Sequence, residues 1–405
     1  MNRVFQLIFL AALLASNAGA QATASRPADA ARESALTLEQ QGNLAGAEAA
    51  WRACSKLNPS SPEPYAHLGL IAARQEHYKE AVPLYRKALA INPNVPALHL
   101  NLGLALFKDG NLKEAIPEFH TLQGTAPPDS PDAQRLRILL GMAHYGLAQY
   151  PEAIPYLKDA AARDTQNLPL RLALAHSCLW SKQFQCVLDV YHEILTLNAE
   201  SAEADMLAGE ALDELNDNAG AVDQFRAAVR ANPKEPNAHF GLGYLLWAQK
   251  RYAEAIPEFN AELANDPDHA QALLYLGDSR LQMNSAEEAR PLLAKAVQID
   301  PALWLADLDI GIIDSDAGRN EDALKELELA ARLQPSDVNV HWRLARLYRT
   351  LGRKDEAKAE FDKASKLHKA ADEDLYKKMA SGRAHPPADA PAPPVNPPSG
   401  PAPNP

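Results

Sequence analysis

The sequence predicts an all-α solenoid of about ten helix-turn-helix units, and three observations carry that prediction. A small residue recurs with a constant stride, two stretches of helical apolar spacing fit inside each stride, and the composition favours helices. The recurring residues are Ala47, Ala81, Ala115, Ala153, Val187, Ala221, Ala255, Ala289, Ala323 and Ala357, 34 residues apart except for one step of 38. Fixed self-similarity at this scale signals stacked repeats rather than separate globular domains. Of the 405 residues, 47% are hydrophobic and 23% charged, the balance of folded material. Aromatics are only 6% and alanine is abundant, which favours helices over sheets. A net charge of −12, with no basic run to override it, argues against nucleic acid or anionic lipid as a partner.

The first element is residues 1–20. Arg3 and the amino terminus give a basic head, Val4–Ala15 is apolar but for Gln6, and Ala18-Gly19-Ala20 offers a cleavage site. This is the layout of a secretory signal peptide cut before Gln21, with residues 21–27 a linker. Export to the periplasm or the extracellular space is the expectation, an uncleaved anchor the alternative. The apolar stretch is too short to cross a bilayer comfortably, so no integral span is expected after cleavage. No cysteine follows it to accept a lipid.

Repeats then fill residues 28–369. With the alanine column numbered 20, position 8 is Gly69, Gly103, Gly141, Gly209, Gly243, Gly277 and Gly311. Position 24 is large throughout, from Trp51, Tyr85 and Phe119 to Phe225, Phe259 and Phe361, and position 32 is proline in seven repeats. Tyr65, Leu68 and Ala72, then Ala81, Tyr85 and Ala88, give the two apolar stripes of one unit. Letters such as Gly110-Asn111 separate the helices, and Asn92-Pro93 ends the second, because proline cannot continue the hydrogen-bond ladder. Glycine at 8 facing alanine at 20 predicts close helix approach, with the large side chain at 24 filling the gap towards the next unit. One unit alone leaves an apolar face bare, so stability comes from stacking.

This pattern resembles the tetratricopeptide repeat, which implies a right-handed superhelical solenoid. The hexapeptide EAIPEF, at Glu114–Phe119 and again at Glu254–Phe259, reads as a structural signature of one repeat subtype. Its proline, at position 22, is expected on a solvent-facing side early in the second helix. Four extra residues near 130–133 break the period. Residues 370–383 read as a separate capping helix, and residues 384–405, ten of them proline, as an extended or disordered spacer.

No catalytic constellation survives inspection. HExxH, P-loop and nucleophile-elbow motifs are absent from the sequence, and Gly241-Leu242-Gly243 lacks the third glycine of a dinucleotide loop. His99, His239 and His341 all fall at position 4 and are expected to pack. No enzyme activity, cofactor or metal is expected. The odd count of three cysteines argues against a disulfide framework. An oxidising compartment would give Cys178 and Cys186 the option of pairing, but three buried thiols is the expectation.

The resemblance further implies a concave groove lined by positions 2, 5, 9, 12 and 13 of the first helices. Those positions are Leu100, Leu104 and Phe107, then Ile138, Met142 and Tyr145, then His176 and Trp180 beside Leu172 and Leu179. They continue as Phe240, Tyr244 and Trp247, then Leu308 and Ile312 beside Leu305, and end at Trp342, Arg346 and Arg349. This lining is apolar and aromatic, as partner recognition requires. Repeat six presents Glu210, Asp213 and Glu214 instead, which does not suit the family's basic clamps for terminal carboxylates. The expected function is a non-enzymatic adaptor in the cell envelope, binding an extended or helical protein segment. A structural assembly factor, including a self-associating one, or an accessory subunit of a secretion or polysaccharide system is the alternative.

Overall fold

A short helix with one apolar stripe cannot bury that stripe alone, and this chain solves the problem by pairing each helix with the next. The computed structural model describes residues 27–380 apart from Ala199. The expected signal peptide, most of the linker and the proline-rich tail lie outside the described residues. Among the described residues the structure is all-α, without strands. Repeats one to three are α1 (Pro27–Gln40) with α2 (Leu44–Leu57), α3 (Glu63–Arg74) with α4 (Tyr78–Ile91), and α5 (Pro96–Lys108) with α6 (Leu112–His120). Repeats four to six are α7 (Pro131–Gly146) with α8 (Tyr150–Arg163), α9 (Leu168–Trp180) followed by α10 (Phe184–Leu197), and α11 (Ala202–Glu214) with α12 (Asn218–Ala231). Repeats seven and eight are α13 (Ala238–Ala248) with α14 (Tyr252–Asn265) and α15 (Ala270–Gln282) with α16 (Ala286–Ile299). Repeats nine and ten are α17 (Trp304–Asp316) with α18 (Asn320–Leu333) and α19 (Val338–Thr350) with α20 (Lys354–Ala380).

The chain divides into two compact units, the first ending at Cys186 and the second beginning at Val187. Within the second unit the first helices α11, α13, α15, α17 and α19 meet in succession. Within the first unit α3 meets α5 and α7 meets α9. Among the described residues no two successive second helices meet as closely. Between α12 and α14 an open cleft of about 390 Å³ remains, lined by Arg226, Arg230, Glu254 and Glu258 among others. In each unit, therefore, the first helices form the tighter, inner layer.

The glycine at position 8 has a sharper role than the sequence suggested. What it admits is the position-24 side chain of its own repeat, an aromatic ring or a leucine, more than the position-20 alanine. A Cβ on Gly103 would stand 2.6 Å from the Phe119 ring, and one on Gly243 2.7 Å from that of Phe259. In all seven repeats with glycine at 8, the position-24 side chain is at most 5% exposed. In repeats five and ten, where Ala175 and Ala345 replace glycine, Tyr191 and Phe361 are only half-buried. Repeat one is the exception, since Ala35 accompanies a fully buried Trp51 whose ring stacks on His67 at 4.3 Å. Phe225 also closes on Gly241 of the following repeat, so the residue at 24 does bridge to the next unit as expected.

The duplicated hexapeptide is explained letter by letter. Glu114 and Glu254 pair with Arg86 and Arg226 of the preceding repeat. Ala115 and Ala255 are fully buried, while Ile116 and Ile256 are half-buried against neighbouring hydrophobics. Pro117 and Pro257 face solvent within unbroken helices, as do Pro83, Pro155 and Pro291. Glu118 and Glu258 take the imidazoles of His99 and His239, at 2.6 and 2.7 Å. Phe119 and Phe259 fill the glycine notch. Repeat ten repeats the imidazole–carboxylate pair as His341 with Glu360 at 2.5 Å. His99 and His341 also donate Nε2–H to the position-32 carbonyls of Pro93 and Pro335, at 2.9 and 3.0 Å. Burial opposes the charge of His99, but its bonds to Glu118 and Pro93 outweigh that and raise its pKa. In repeat nine the same two positions hold Asp307 and Glu326. Burial and the Glu326 charge push the Asp307 carboxyl up to about 7.

Each first helix ends on a residue with positive φ at position 15, from Gly42 and Glu76 to Gly318 and Gly352. Gly110 N–H bonds to Phe107 O at 3.2 Å and Asn111 N–H to Leu106 O at 2.8 Å, the Schellman closure of a helix C-terminus. The insertion acts together with a shortened helix: α6 has nine residues where the second helices of repeats one, two and four to nine have 14, and residues 121–130 are non-helical. Two expectations need correction. Residues 370–380 of the expected separate capping helix are instead the continuation of α20, which runs unbroken for 27 residues, and residues 381–383 lie outside the described residues. Cys178 and Cys186 are joined as a disulfide, because the turn after α9 brings their Cα atoms to 5.9 Å. Cys54 alone is a free, buried thiol.

This pairing predicts the thiol count of denatured protein taken from its native compartment. Maleimide labelling without reductant should modify one cysteine, Cys54, and labelling after reduction should modify all three. Three modified cysteines without reductant would contradict the bridge.

Candidate interaction surface

Because first helices pack edge to edge, most side chains at positions 5, 9 and 12 stand on the inner face of each unit. In the first unit Leu100, Leu104 and Phe107 of α5 are half-buried and lean on the core beneath. Ile138 and Met142 of α7 are likewise half-buried. Tyr145 meets His176 of α9 at 6.3 Å and Tyr150 at 6.1 Å, and Tyr150 stacks on Trp180 at 6.2 Å. The structure thus joins Tyr145, His176 and Trp180 into one aromatic run, through a tyrosine on α8 that groove positions do not include.

The second unit carries a denser cluster. Phe240 lies 6.3 Å from Tyr244, and Tyr244 stacks on Trp247 at 5.7 Å. Buried Tyr275 of α15 touches all three, at 6.1, 5.2 and 4.6 Å. Sequence reasoning missed this hub because it sits at position 6, one residue past the groove column. Aromatic rings at these separations stabilise one another by about 0.5–1.5 kcal/mol per pair beyond area burial, so the cluster is held in place before any ligand arrives.

A polar shelf underlies the cluster. Trp247 Nε1–H donates to Asp278 Oδ2, and Gln282 Nε2–H donates to Asp278 Oδ1 at 3.0 Å. Asp278 is itself hydrogen-bonded to Asp309 of α17, and both carboxyls are buried. Burial raises the Asp278 pKa against the pull of its Gln282 and Trp247 donors. Burial, then the Asp278 charge, raises that of Asp309 well above the usual carboxylate range, with Arg343 opposing. The pair therefore shares one proton, which Asp309 holds and donates while Asp278 accepts from Trp247.

Beyond this shelf Ile312 is half-buried, but Leu308 is 2% exposed and packs within the core formed with α18 and α19. Leu308 is therefore unavailable to a ligand, a correction to the predicted lining. Trp342 is 41% exposed, with the Arg346 guanidinium 4.7 Å and that of Arg343 5.7 Å from its ring centre. Arg349 lies 5.9 Å from the Phe361 ring. At the opposite end, burial and then the charge of Glu214 raise the Asp213 pKa. Burial and the Asp213 charge push the Tyr244 phenol up to about 12. Among the described residues there is no group of three or more metal-ligating side chains.

Stacked helical hairpins with an aromatic inner face define a repeat scaffold, and comparison with known families places it. Tetratricopeptide repeat profiles match residues 72–139, 246–306 and 315–381, and a second set of the same description matches 189–236 and 206–268. The chain belongs to the tetratricopeptide repeat family. It is similar to the DnaJ homolog subfamily C member 7 homolog of Schizosaccharomyces pombe, 25% identical over 250 residues, 54% of this chain and 52% of that protein. It is similar also to the TPR repeat-containing protein YpiA of Bacillus subtilis, 23% identical over 251 residues, 60% of this chain and 57% of that protein. Cellulose synthase operon protein C of Xanthomonas axonopodis pv. citri is 34% identical over 157 residues, 37% of this chain and 10% of that protein. The chain thus spans about half the length of the first two relatives and a tenth of the third. Among solved structures, the Cut9-Hcn1 hetero-tetramer of the APC/C matches with a TM-score of 0.42 at 12% identity, covering 85% of this chain and 87% of that one. YrrB, titled a TPR protein with an unusual peptide-binding site, matches with a TM-score of 0.38 at 18% identity, covering 47% of this chain and 97% of that one.

The buried carboxyl pair predicts a pH dependence with a definite sign. A carboxyl whose folded pKa is raised keeps its proton above about pH 4, where the unfolded chain has lost it. Stability from this site is therefore full at low pH and falls as pH rises from about 4 towards the folded pKa. Asp309→Asn retains a donor for Asp278 and removes the titration. Its thermal midpoint should fall less than that of the parent between pH 5 and pH 8. Parallel profiles for the two proteins would contradict the shared proton.

Proposed function

We propose that this protein is a non-enzymatic interaction scaffold, exported to the periplasm or beyond, that captures an extended or helical polypeptide segment on the inner face of its first helices. The observation that carries the reading is the Phe240–Tyr244–Trp247 cluster. These rings are half-buried on the inner face, braced from below by Tyr275 and Asp278, and still present surface to solvent. Burial of apolar area yields about 25 cal/mol per Å². Covering about 400 Å² there would give roughly 10 kcal/mol gross, much of it offset by the loss of freedom on association. Members of the family mediate protein–protein interaction, and a partner of that class suits such a face. Export rests on the signal-like segment at residues 1–20 and gains support from the Cys178–Cys186 bridge, since disulfides persist in oxidising compartments.

A second reading, accessory subunit of an envelope polysaccharide system, draws on the 157-residue likeness to cellulose synthase operon protein C. It differs in the partner rather than in the surface used. The test is affinity capture from the host's envelope fraction with the parent chain, a Tyr244→Ala/Trp247→Ala variant, and an Ile299→Ala control at an exposed site elsewhere. With helicity confirmed by circular dichroism, the double variant should lose captured partner at least about tenfold, in line with the removal of aromatic anchors. The control should match the parent. Equal recovery by all three would refute the groove reading.

A further inference from the structure

The inner face of the second unit changes chemistry from one end to the other. On α11, four of the five groove positions are acidic; Glu203 and Glu210 already interact with other groups of the protein, and Asp213 and Glu214 carry the acidic end. Next come Phe240, Tyr244 and Trp247 of α13, with Asp213 near enough to raise the Tyr244 pKa. On α15 and α17 the groove positions are apolar or neutral, except for Asp278, buried beneath Trp247, and Asp316 in the last turn of α17. On α19 the exposed Trp342 stands with Arg346 and Arg349, both also exposed. The five helices meet in this order. The face is thus acidic, then aromatic and apolar, then basic, on a chain whose overall charge is −12.

We infer that this face takes a polypeptide segment in one charge order, with basic residues over α11, aromatic or aliphatic residues over α13 to α17, and acidic residues over α19. The inference rests on the groove reading and adds the partner's chemistry. Packed helices stand about 8–10 Å apart, so the four steps from α11 to α19 match an extended segment of about ten to twelve residues. Exposed ion pairs at the two ends contribute little each, but they act in the same sense and set the register, while the apolar middle supplies most of the affinity. A segment with the wrong charges at either end brings like charges together and is rejected. The Arg346 guanidinium lies over the Trp342 ring, 4.7 Å from its centre, where the cation–π contact holds it in place.

The probes are four synthetic twelve-residue peptides with one shared apolar and aromatic centre. Their ends are two lysines and two glutamates, lysines at both ends, glutamates at both ends, or serines at both ends. Binding to the full chain is read by fluorescence anisotropy at low ionic strength. The lysine–glutamate peptide should bind about tenfold more tightly than either like-ended peptide, an advantage that salt removes. An Arg346→Glu/Arg349→Glu variant should lose that advantage and prefer the peptide with lysines at both ends. A photoreactive group beside the glutamates should label α19 and not α11. If the serine-ended peptide binds but the charged peptides follow net charge alone, with the all-lysine one tightest, the charge order is wrong and the groove stands. If none of the four binds, groove and charge order fail together.

Discussion

In seven of the ten repeats the helix pair is held by a large side chain lying on a glycine, and much of the rest of the molecule follows from that contact. A methyl group at position 8 would intrude on the position-24 side chain, so the glycine fixes how closely the two helices approach. Phe225 also reaches the next repeat, lying between Gly209 and Gly241, so there one side chain sets both pairing and stacking. Glycine inside a helix costs about 1 kcal/mol of propensity relative to alanine. A well-packed core offsets this, because forcing an extra carbon into it costs about 1–3 kcal/mol.

Repetition turns that local rule into a surface. Within each unit, first helices brought edge to edge place most side chains at positions 5, 9 and 12 on one face, though Leu274, Asp278 and Leu308 turn into the core. Polar pairs then hold the outer parts in register. His99, His239 and His341 tie first helices to the carboxylates at position 23. The Arg86–Glu114 and Arg226–Glu254 pairs link neighbouring repeats on the exposed side, where each contributes little energy. Beneath the aromatic cluster the shared proton of Asp278 and Asp309 keeps Trp247 in one orientation. A pre-set aromatic row loses less entropy on binding than a mobile one, which ties the buried carboxyls to recognition.

The period, the helix pairs and the glycine and large-residue columns were legible in the sequence because a steric requirement met in repeat after repeat leaves residues of the same kind at the same positions. Much of the predicted lining was legible for the same reason. What escaped depends on contacts that no column encodes. The left-handed residue at position 15 is glycine or asparagine in some repeats but Glu76, Ala148, Lys182 and Lys250 in others, because the Schellman closure rests on backbone bonds rather than a side chain. Tyr275 and Asp278 matter through what they touch on α13 and α17, and those neighbours come from other repeats. Leu308 sits in a groove column yet turns into the α18–α19 core. The Cys178–Cys186 pair required the turn after α9 to bring two distant letters together.

The most direct test of this scheme is urea unfolding of Gly243→Ala. Helix propensity alone predicts that alanine raises stability by about 1 kcal/mol, whereas the ring-on-glycine contact predicts a net loss despite that gain. The account predicts a lower midpoint for the variant, with Phe259 displaced outward as Phe361 is beside Ala345. An unchanged or higher midpoint would contradict it, since the helices would then be shown to need no notch at position 8.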